Sequence, residues 1–173
     1  MRHKAASFPY IATKKSRALI LGSMPGIKSL QAQQYYAHPQ NAFWHIMSDV
    51  FDMPVSTYAE RVKLIEKNDL ALWDVLKCCE RHGSLDTNID DDTIEVNDFA
   101  AFFTAHPRVT HVFFNGTKAA TEFRRRVLPD LPEEIAVRLE LSLLPSTSPA
   151  RANMAKPLKL KAWKRALGLL TGH

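Results

Sequence analysis

Polar residues with ligand-binding chemistry follow four short apolar segments of the chain, at positions 22–26, 73–74, 115–116 and 145–151. The first group, GSMPG, can direct backbone N–H groups toward a ligand, although a lone Pro-Gly loop is more often only a turn. Asp74 can orient a water molecule or accept a hydrogen bond, and it can equally cap the next turn. Asn115 carries an amide that both donates and accepts, although an Asn before a Gly is common in turns. These groups share the chemistry of hydrogen bonding to a polar ligand.

Two further polar residues stand just before an apolar segment with helical spacing. The Asn41 amide can hold a water molecule by donating and accepting hydrogen bonds. The same residue is well placed to cap the helix that begins there. His38 is a second candidate for handling a proton, and a His before a Pro is commonly structural. Each of these two residues therefore has both a chemical and a structural interpretation.

The polar groups are connected by an alternation of apolar strands and amphipathic helices. Short apolar runs predict strands at 17–22, 70–76, 109–114 and 136–144. Apolar residues at helical spacing predict helices at 41–51, 57–68, 93–105, 115–128 and 158–170. The polar, irregular segment 78–92 predicts a loop, and Asn97 or Asp98 can mark the start of the helix that follows.

Strands separated by helices indicate a mostly parallel sheet with helices on both of its faces. We therefore predict an α/β fold with three layers, α/β/α, around a central four-stranded sheet. In such a sheet, ligands bind beyond the C-terminal ends of the strands. The polar groups described above all follow strands, so the pattern predicts a single site at that edge.

The length and charge of the chain limit its class. A chain of 173 residues fits a single domain spanning 1–173. The net charge is +5, but residues 1–48 and 141–173 each hold six Lys or Arg and no acid, whereas the middle is acidic. If the two basic ends meet, they form a positive face suited to a polyanion. The alternative is a solvated basic surface with no partner.

Cysteine usage and hydropathy exclude several other classes of protein. Cys78 and Cys79 are the only cysteines, which excludes a disulfide framework and a four-thiolate zinc site and favours a reducing cytoplasm. No stretch approaches the roughly 20 apolar residues that span a bilayer, and the N-terminus lacks the apolar run of a secretory signal. We expect a cytoplasmic protein with no membrane partner.

Three longer blocks carry a resemblance to a known family. They are SMPG at 23–26, YYAHPQNAFW at 35–44 and LPSTSPARA at 144–152. Together they resemble the motifs of the uracil-DNA glycosylase superfamily, and most closely its hypoxanthine (deoxyinosine) branch. The resemblance implies a monomeric DNA repair enzyme that flips a deaminated base, hypoxanthine or uracil, out of DNA. It then hydrolyses the N-glycosidic bond with water and leaves an abasic site, without a metal or other cofactor.

The resemblance also implies roles for particular residues. The expected base-binding residues lie in or near the first blocks and at one strand end: Gly22, Ser23, Met24, Pro25, Gly26, Tyr36, His38 and Asn115. Within this set, we expect Tyr36 to stack on the flipped base while Tyr35 is buried, and Asn115 to read the base edge. The expected DNA contacts are Ser146, Ser148 and Arg151, and the expected catalytic residues are Asn41 and Asp74. Asp86 lies in the GSLD segment, which also resembles the branch.

Two residues depart from the family pattern. Met24 stands where many relatives carry an Asp or Asn that positions the attacking water, and Leu144 stands where many carry a catalytic His. Neither side chain can activate water, so the resemblance leaves Asn41 as the nearest polar candidate and His38 as the second.

Three alternative functions remain open from the sequence. The first is a mismatch-type uracil-DNA glycosylase, because base preference depends on pocket shape. The second is a non-catalytic module that binds damaged DNA, which Met24 and Leu144 motivate. A third is a nucleotide-binding α/β enzyme acting on small molecules, and the lack of a GxGxxG or GxxxxGK[ST] loop counts against it.

Overall fold

A parallel sheet of four strands forms the centre of the molecule. The structure is a computed structural model that describes residues 2–150 and 154–171. The sheet has the order β3-β2-β6-β7, and its neighbouring strands pair in parallel. Its strands are β2 (Ala18–Gly22), β3 (Leu70–Asp74), β6 (His111–Asn115) and β7 (Glu140–Leu144). The strand predicted at 136–144 is shorter in the structure and begins at Glu140. The start of the predicted range belongs to the end of α6 (Glu133–Ala136).

Helices cover one face of this sheet with aromatic and aliphatic side chains. They are α2 (Phe43–Phe51), α3 (Tyr58–Lys67) and α7 (Lys156–Thr171). Ile20, Leu72 and Phe113 from the strands join Phe43 and Trp163 in this core. Alternate strand residues point to opposite faces, so the neighbours of Ile20 in β2 enter the other core.

The opposite face packs against α4 (Phe99–Ala105), α5 (Thr117–Glu122) and α6. Leu19, Leu21 and Phe114 meet Phe102 and Ile135 in this second core. A short helix, α1 (Ile27–Ala32), follows β2 and carries the chain across the edge of the sheet. Helices on both faces confirm the predicted three-layer α/β/α fold. None of the helices in residues 2–150 and 154–171 has the length and apolar character needed to cross a bilayer.

A second, antiparallel sheet occupies a segment predicted as a loop. It has the order β1-β4-β5, with strands β1 (His3–Ala6), β4 (Leu76–Arg81) and β5 (Ile89–Val96). The loop prediction for 78–92 was wrong because Asp-rich β5 has low strand propensity. Its stability comes instead from pairing with β4 and from apolar residues such as Cys79 and Ile89 packed in the core.

Side chains that accept backbone N–H groups determine where several helices begin. Asp98 accepts from Ala101 N at 3.0 Å, so α4 begins at Phe99. The predicted helix at 93–105 was therefore wrong in its first part, which is the end of β5, and right from the cap onward. Thr57 and Glu60 form a reciprocal capping box at the start of α3.

Candidate active site

The C-terminal ends of the parallel strands open into one pocket of about 620 Å³. Its walls include twelve of the residues expected from the sequence: Gly22, Ser23, Met24, Pro25, Gly26, Tyr36, His38, Asn41, Asp74, Asn115, Ser146 and Ser148. Arg151, the remaining expected residue, lies outside the described residues. The fold thus brings together groups that are up to 126 positions apart in the chain, as parallel strand ends predict.

The loop after β2 is held in place by hydrogen bonds from neighbouring strands. Val75 N donates to Gly22 O at 2.8 Å, and Leu76 N donates to Ser23 O at 3.1 Å. Arg81, on β4, donates from Nη2 to the carbonyl oxygen of Pro25. Arg81 is fully buried. A charged side chain of the antiparallel sheet therefore holds the loop after β2 in position. The sequence around Arg81 predicts a loop, so no local signal points to this role; in the structure Arg81 ends β4.

The turn between β4 and β5 forms a further wall of the pocket. Of its residues, only Asp86 carries a signal in the sequence. Ser84, Leu85, Asp86 and Thr87 line the pocket from this turn. Ser23 Oγ donates to Asp86 Oδ1 at 2.6 Å, and Ile27 N donates to Ser84 Oγ at 2.7 Å. The turn is therefore tied to the loop after β2 at two points.

Asp74 and Tyr36 meet beneath Gly22 at the floor of the pocket. A Cβ atom on Gly22 would lie 2.6 Å from Asp74 Oδ1 and 2.9 Å from Tyr36 Oη. A side chain at that position would displace both groups, so only glycine fits there. Asp74 Oδ2 and Tyr36 Oη are buried and have no hydrogen-bond partner among the described residues. A bound ligand can supply the missing partners.

The surroundings of Asp74 favour its neutral form more than water does. Burial, followed by the nearby charge of Asp86, raises the pKa of Asp74 to about 7, while Arg81 opposes the shift. Burial and then the charge of Asp74 raise the pKa of the Tyr36 hydroxyl. Tyr36 therefore keeps its proton at neutral pH, whereas Asp74 titrates close to neutrality.

Tyr35 and Tyr36 have different environments, as expected. Tyr35 is 3% exposed, and its hydroxyl donates to Pro9 O at 3.0 Å. Tyr36 adopts a left-handed backbone conformation with φ of 53°. Its ring stacks on Phe43 at a centroid distance of 4.2 Å. Burial of Tyr35 is confirmed, whereas stacking of Tyr36 on a flipped base stays a prediction.

Asn115 uses its side-chain amide to hold the loop that follows β7. Its Nδ2 donates to Thr147 Oγ1 at 2.9 Å, and its Oδ1 accepts from Thr147 N at 2.9 Å. Thr147 is 2% exposed and its carbonyl oxygen accepts from Ala42 N. This arrangement supports a positioning role for Asn115, and its expected role in reading a base edge stays a prediction.

The geometry of Asn41 combines both of its expected roles. Asn41 Oδ1 accepts from Phe43 N at 2.9 Å at the start of α2, so the side chain does stabilise the helix end. Among the described residues, no hydrogen bond involves its Nδ2. Because the oxygen is fixed by the helix, the two amide hydrogens have a defined direction and can donate to a ligand or to a water molecule.

His38 has one ring nitrogen engaged by the backbone. Gln40 N donates to His38 Nδ1 at 3.1 Å. A neutral imidazole in this arrangement carries its proton on Nε2, which makes that atom a donor. His38 can therefore hold an acceptor in the pocket, in addition to supporting the turn before Asn41.

The two residues that depart from the expected pattern are both core residues. Met24 is 7% exposed and packs in the same core as Leu21 and Trp73. Leu144 is also 7% exposed and packs with Phe113 and Trp163. Their apolar side chains thus contribute to folding. In the described part of the chain, no group of three or more His, Cys, Asp or Glu side chains is arranged to hold a metal.

Comparison with known proteins identifies close relatives of this fold and sequence. The family model of the uracil DNA glycosylase superfamily matches residues 8–167. A hypoxanthine DNA glycosylase of Methanosarcina acetivorans is 33% identical over 151 residues, covering 86% of this chain and 89% of that protein. A hypoxanthine DNA glycosylase of Methanosarcina barkeri is 36% identical over 118 residues, covering 67% of this chain and 73% of that protein.

A solved structure shares both the fold and the extent of the chain. It is the solution NMR structure of a Methanosarcina acetivorans protein provisionally described as a uracil DNA glycosylase. It superimposes with a TM-score of 0.78 at 29% identity and covers 95% of this chain and 97% of its own. The motif blocks, the three-layer fold and the extent of these matches together show that the chain belongs to the uracil-DNA glycosylase superfamily of DNA repair enzymes.

Proposed function

We propose that the protein removes hypoxanthine from DNA by hydrolysing its N-glycosidic bond and leaves an abasic site. The observation that carries the proposal is that the residues of all three motif blocks converge on one pocket of about 620 Å³. Two relatives that share at least a third of their aligned residues with this chain are named hypoxanthine DNA glycosylases. The pocket is large enough for a single extruded base.

The reaction begins with extrusion of the base, because a stacked base is out of reach of the enzyme. Cleavage then moves toward an oxocarbenium-like sugar, and negative charge develops on the departing base. Hydrogen-bond donors aimed at that charge lower the barrier. The backbone N–H groups of Ser23, Met24 and Gly26 and the hydroxyl of Tyr36 are donors in the pocket wall. No carboxylate is needed for this part of the catalysis.

Water is the nucleophile in this proposal, and Asn41 is the residue that orients it. Its Oδ1 is fixed by Phe43 N, and the oxygen retains a second lone pair beside the two free amide hydrogens. The side chain can thus donate to the water oxygen and accept one of its hydrogens. His38 Nε2 is a second donor in the same wall.

Contacts with the DNA strand are assigned to the loop after β7. Ser146 and Ser148 line the pocket from this loop, and their hydroxyls suit phosphate oxygens. Thr147 O accepts from Ala42 N, which joins the acid-free segments 1–48 and 141–173. The contact between these two basic segments supports a positively charged surface around the opening of the pocket. Arg151 is retained as a phosphate contact or as a wedge in the space left by the base.

A single-turnover incision assay tests the proposal. Purified protein in excess is incubated with duplexes that contain one hypoxanthine, one uracil or no lesion, and alkali then cuts at abasic sites. We expect faster cleavage at hypoxanthine than at uracil and none in the undamaged duplex. Cleavage at uracil alone would change the assigned substrate. Binding without cleavage at either base would refute the enzymatic assignment and favour a damage-binding protein.

A further inference from the structure

We propose that Asp74 and Tyr36 together discriminate hypoxanthine and uracil from adenine and cytosine by reading the edge where a ring N–H lies beside a carbonyl. This inference rests on the proposed function and names the residues that determine its specificity. In the proposed complex, the Asp74 carboxylate accepts the ring N–H. The Tyr36 hydroxyl donates to the neighbouring carbonyl oxygen.

The first support is that both groups are unpaired at the floor of the pocket. Asp74 is 3% exposed, and its Oδ2 has no hydrogen-bond partner in residues 2–150 and 154–171. The buried Tyr36 Oη likewise makes no hydrogen bond of regular geometry there, and the neighbouring Asn115 side chain opposes the rise that burial causes in the pKa of Tyr36. A buried polar atom that lacks a hydrogen bond destabilises the protein. A ligand that pairs with both atoms removes this destabilisation.

The second support is that the two groups lie close enough to contact one edge of one ligand. Both approach the α-carbon of Gly22, where a Cβ atom would be 2.6 Å from Asp74 Oδ1 and 2.9 Å from Tyr36 Oη. Gly22, Tyr36 and Asp74 all line the pocket. Register pairing places Gly22 directly beside Asp74 in the sheet, so the arrangement is set by the strands themselves.

The third support is that the other amide near the floor is already engaged. Both ends of the Asn115 amide bond to Thr147, so this residue has less capacity to read a base. Tyr36 and Asp74 keep their capacity to form hydrogen bonds with a base.

The chemistry of the bases explains why this pair favours hypoxanthine over adenine and uracil over cytosine. Hypoxanthine and uracil each carry a ring N–H next to a carbonyl, which is a donor beside an acceptor. Adenine and cytosine carry an amino group next to an unprotonated ring nitrogen, which reverses the order. An ionised carboxylate only accepts, so it meets the ring N–H of the first pair and repels the ring nitrogen of the second. Polar sites that lose their partner in this way reject the wrong ligand strongly.

Four ionisable groups face the Asp74 carboxyl and influence its charge. Asp86 from the β4–β5 turn raises its pKa, and Arg81 from β4 lowers it. The hydroxyls of Tyr35 and Tyr36 have their own pKa values raised by Asp74, so they stay protonated. Since a protonated carboxyl can both donate and accept, the selection is sharpest above the pKa of Asp74.

The test measures binding, so it does not depend on turnover. The full chain is titrated by fluorescence anisotropy at pH 8 with duplexes whose target nucleotide carries a 2′-fluorine in the arabino configuration. This fluorine slows cleavage, because it disfavours the oxocarbenium-like transition state. Matched duplexes contain hypoxanthine, adenine, uracil or cytosine at that position. The readouts are the hypoxanthine-to-adenine and uracil-to-cytosine affinity ratios.

Asp74→Asn is the principal variant, because its amide has the same shape but can both donate and accept. We expect it to reduce both affinity ratios by at least about tenfold. Tyr36→Phe should weaken binding of hypoxanthine and uracil by about tenfold and leave adenine and cytosine unchanged. The control variants are Asp92→Asn, an exposed carboxylate on β5, and Tyr10→Phe, which lies against Trp73 and Phe102. Both should retain wild-type ratios.

The possible failures are distinguishable from one another. If wild-type protein prefers hypoxanthine over adenine but Asp74→Asn and Tyr36→Phe keep that preference within twofold, the inference is wrong and the proposed function stands. If wild-type protein shows no preference for either deaminated base, the proposed function itself is wrong, and the inference fails with it. Circular dichroism of each variant shows whether a lost ratio comes from unfolding, and in that case the remaining variant decides.

Discussion

Asn115 and Thr147 exchange two hydrogen bonds, each 2.9 Å long, between the end of β6 and the loop after β7. One bond uses the Thr147 hydroxyl and the other uses its backbone N–H. The pair therefore fixes both the side chain and the backbone of the loop that supplies Ser146 and Ser148 to the pocket. An amide is the side chain that can serve both partners at once, since it carries a donor and an acceptor.

Loss of this pair should loosen the loop. Asn115→Ala removes both hydrogen bonds and leaves buried groups of Thr147 unpaired, so we expect a loss of about 2–4 kcal/mol in the free energy of unfolding. Thr147→Val removes only one bond and should cost about half as much. Urea denaturation measures both changes. Equal stability of Asn115→Ala and wild-type protein would contradict the assigned role.

Removal of the Asn41 amide should abolish base release and leave DNA binding intact. We expect Asn41→Ala to lower the single-turnover rate on a hypoxanthine duplex by at least about 10²-fold. Asn41→Ser keeps a side-chain oxygen for Phe43 N, so it should recover most of the stability and little of the activity. Full activity in Asn41→Ser would show that the residue acts only as a helix cap.

A methyl group at Gly22 should disrupt the floor of the pocket. The new Cβ would lie 2.6 Å from Asp74 Oδ1 and 2.9 Å from Tyr36 Oη, closer than van der Waals contact allows. We expect Gly22→Ala to fold and to lose at least about tenfold in affinity for the 2′-fluoro hypoxanthine duplex.

Gly26→Ala provides the matched comparison within the same loop. Its Cβ would meet Ser84 Oγ at 3.4 Å, an ordinary contact, so the loss should be clearly smaller. Similar losses in the two variants would show that the loop tolerates no side chain at all and would remove the specific argument for Gly22.

Asp74 should make the folded protein less stable as the pH rises toward neutrality. The pKa of Asp74 is raised from 3.8 to about 7 in the folded protein, so between these values the folded state holds a proton that the unfolded state has released. Stability therefore falls with rising pH across this window, by at most about 4 kcal/mol, and stays constant above it.

The difference between wild-type protein and Asp74→Asn isolates this effect. Urea denaturation at pH 5 and pH 8 should show a larger loss for wild-type protein than for the variant. Asp92→Asn serves as the control, because Asp92 is an exposed carboxylate outside the pocket. A parallel pH dependence in wild-type protein and Asp74→Asn would refute the raised pKa.

Arg81 should set the pH range over which Asp74 is ionised. Its positive charge lowers the pKa of Asp74, and its Nη2 holds the Pro25 carbonyl. Arg81→Met should therefore move the pH midpoint of the hypoxanthine-to-adenine affinity ratio upward. Arg81→Lys keeps the charge and should retain most of the wild-type midpoint. An unchanged midpoint in Arg81→Met would limit Arg81 to support of the loop.

Local sequence patterns are enough to predict the central sheet and the position of the site. Runs such as ALILG and LALWD are apolar throughout, which is typical of strands buried on both faces. Glycine and polar residues follow these runs, and parallel strands present their C-terminal ends at one edge. For that reason the sequence predicts that Gly22, Asp74 and Asn115 lie in one site, and all three line the pocket.

The contacts of those residues become visible only in the tertiary structure. The β4–β5 hairpin was hidden because Asp-rich β5 lacks strand propensity and is stabilised by its partner. The unpaired Asp74 and Tyr36, the engagement of Asn115 by Thr147 and the support of Pro25 by Arg81 all join residues at least 32 positions apart. A local pattern carries no information about such pairings, because they depend on how the sheets and loops pack in space.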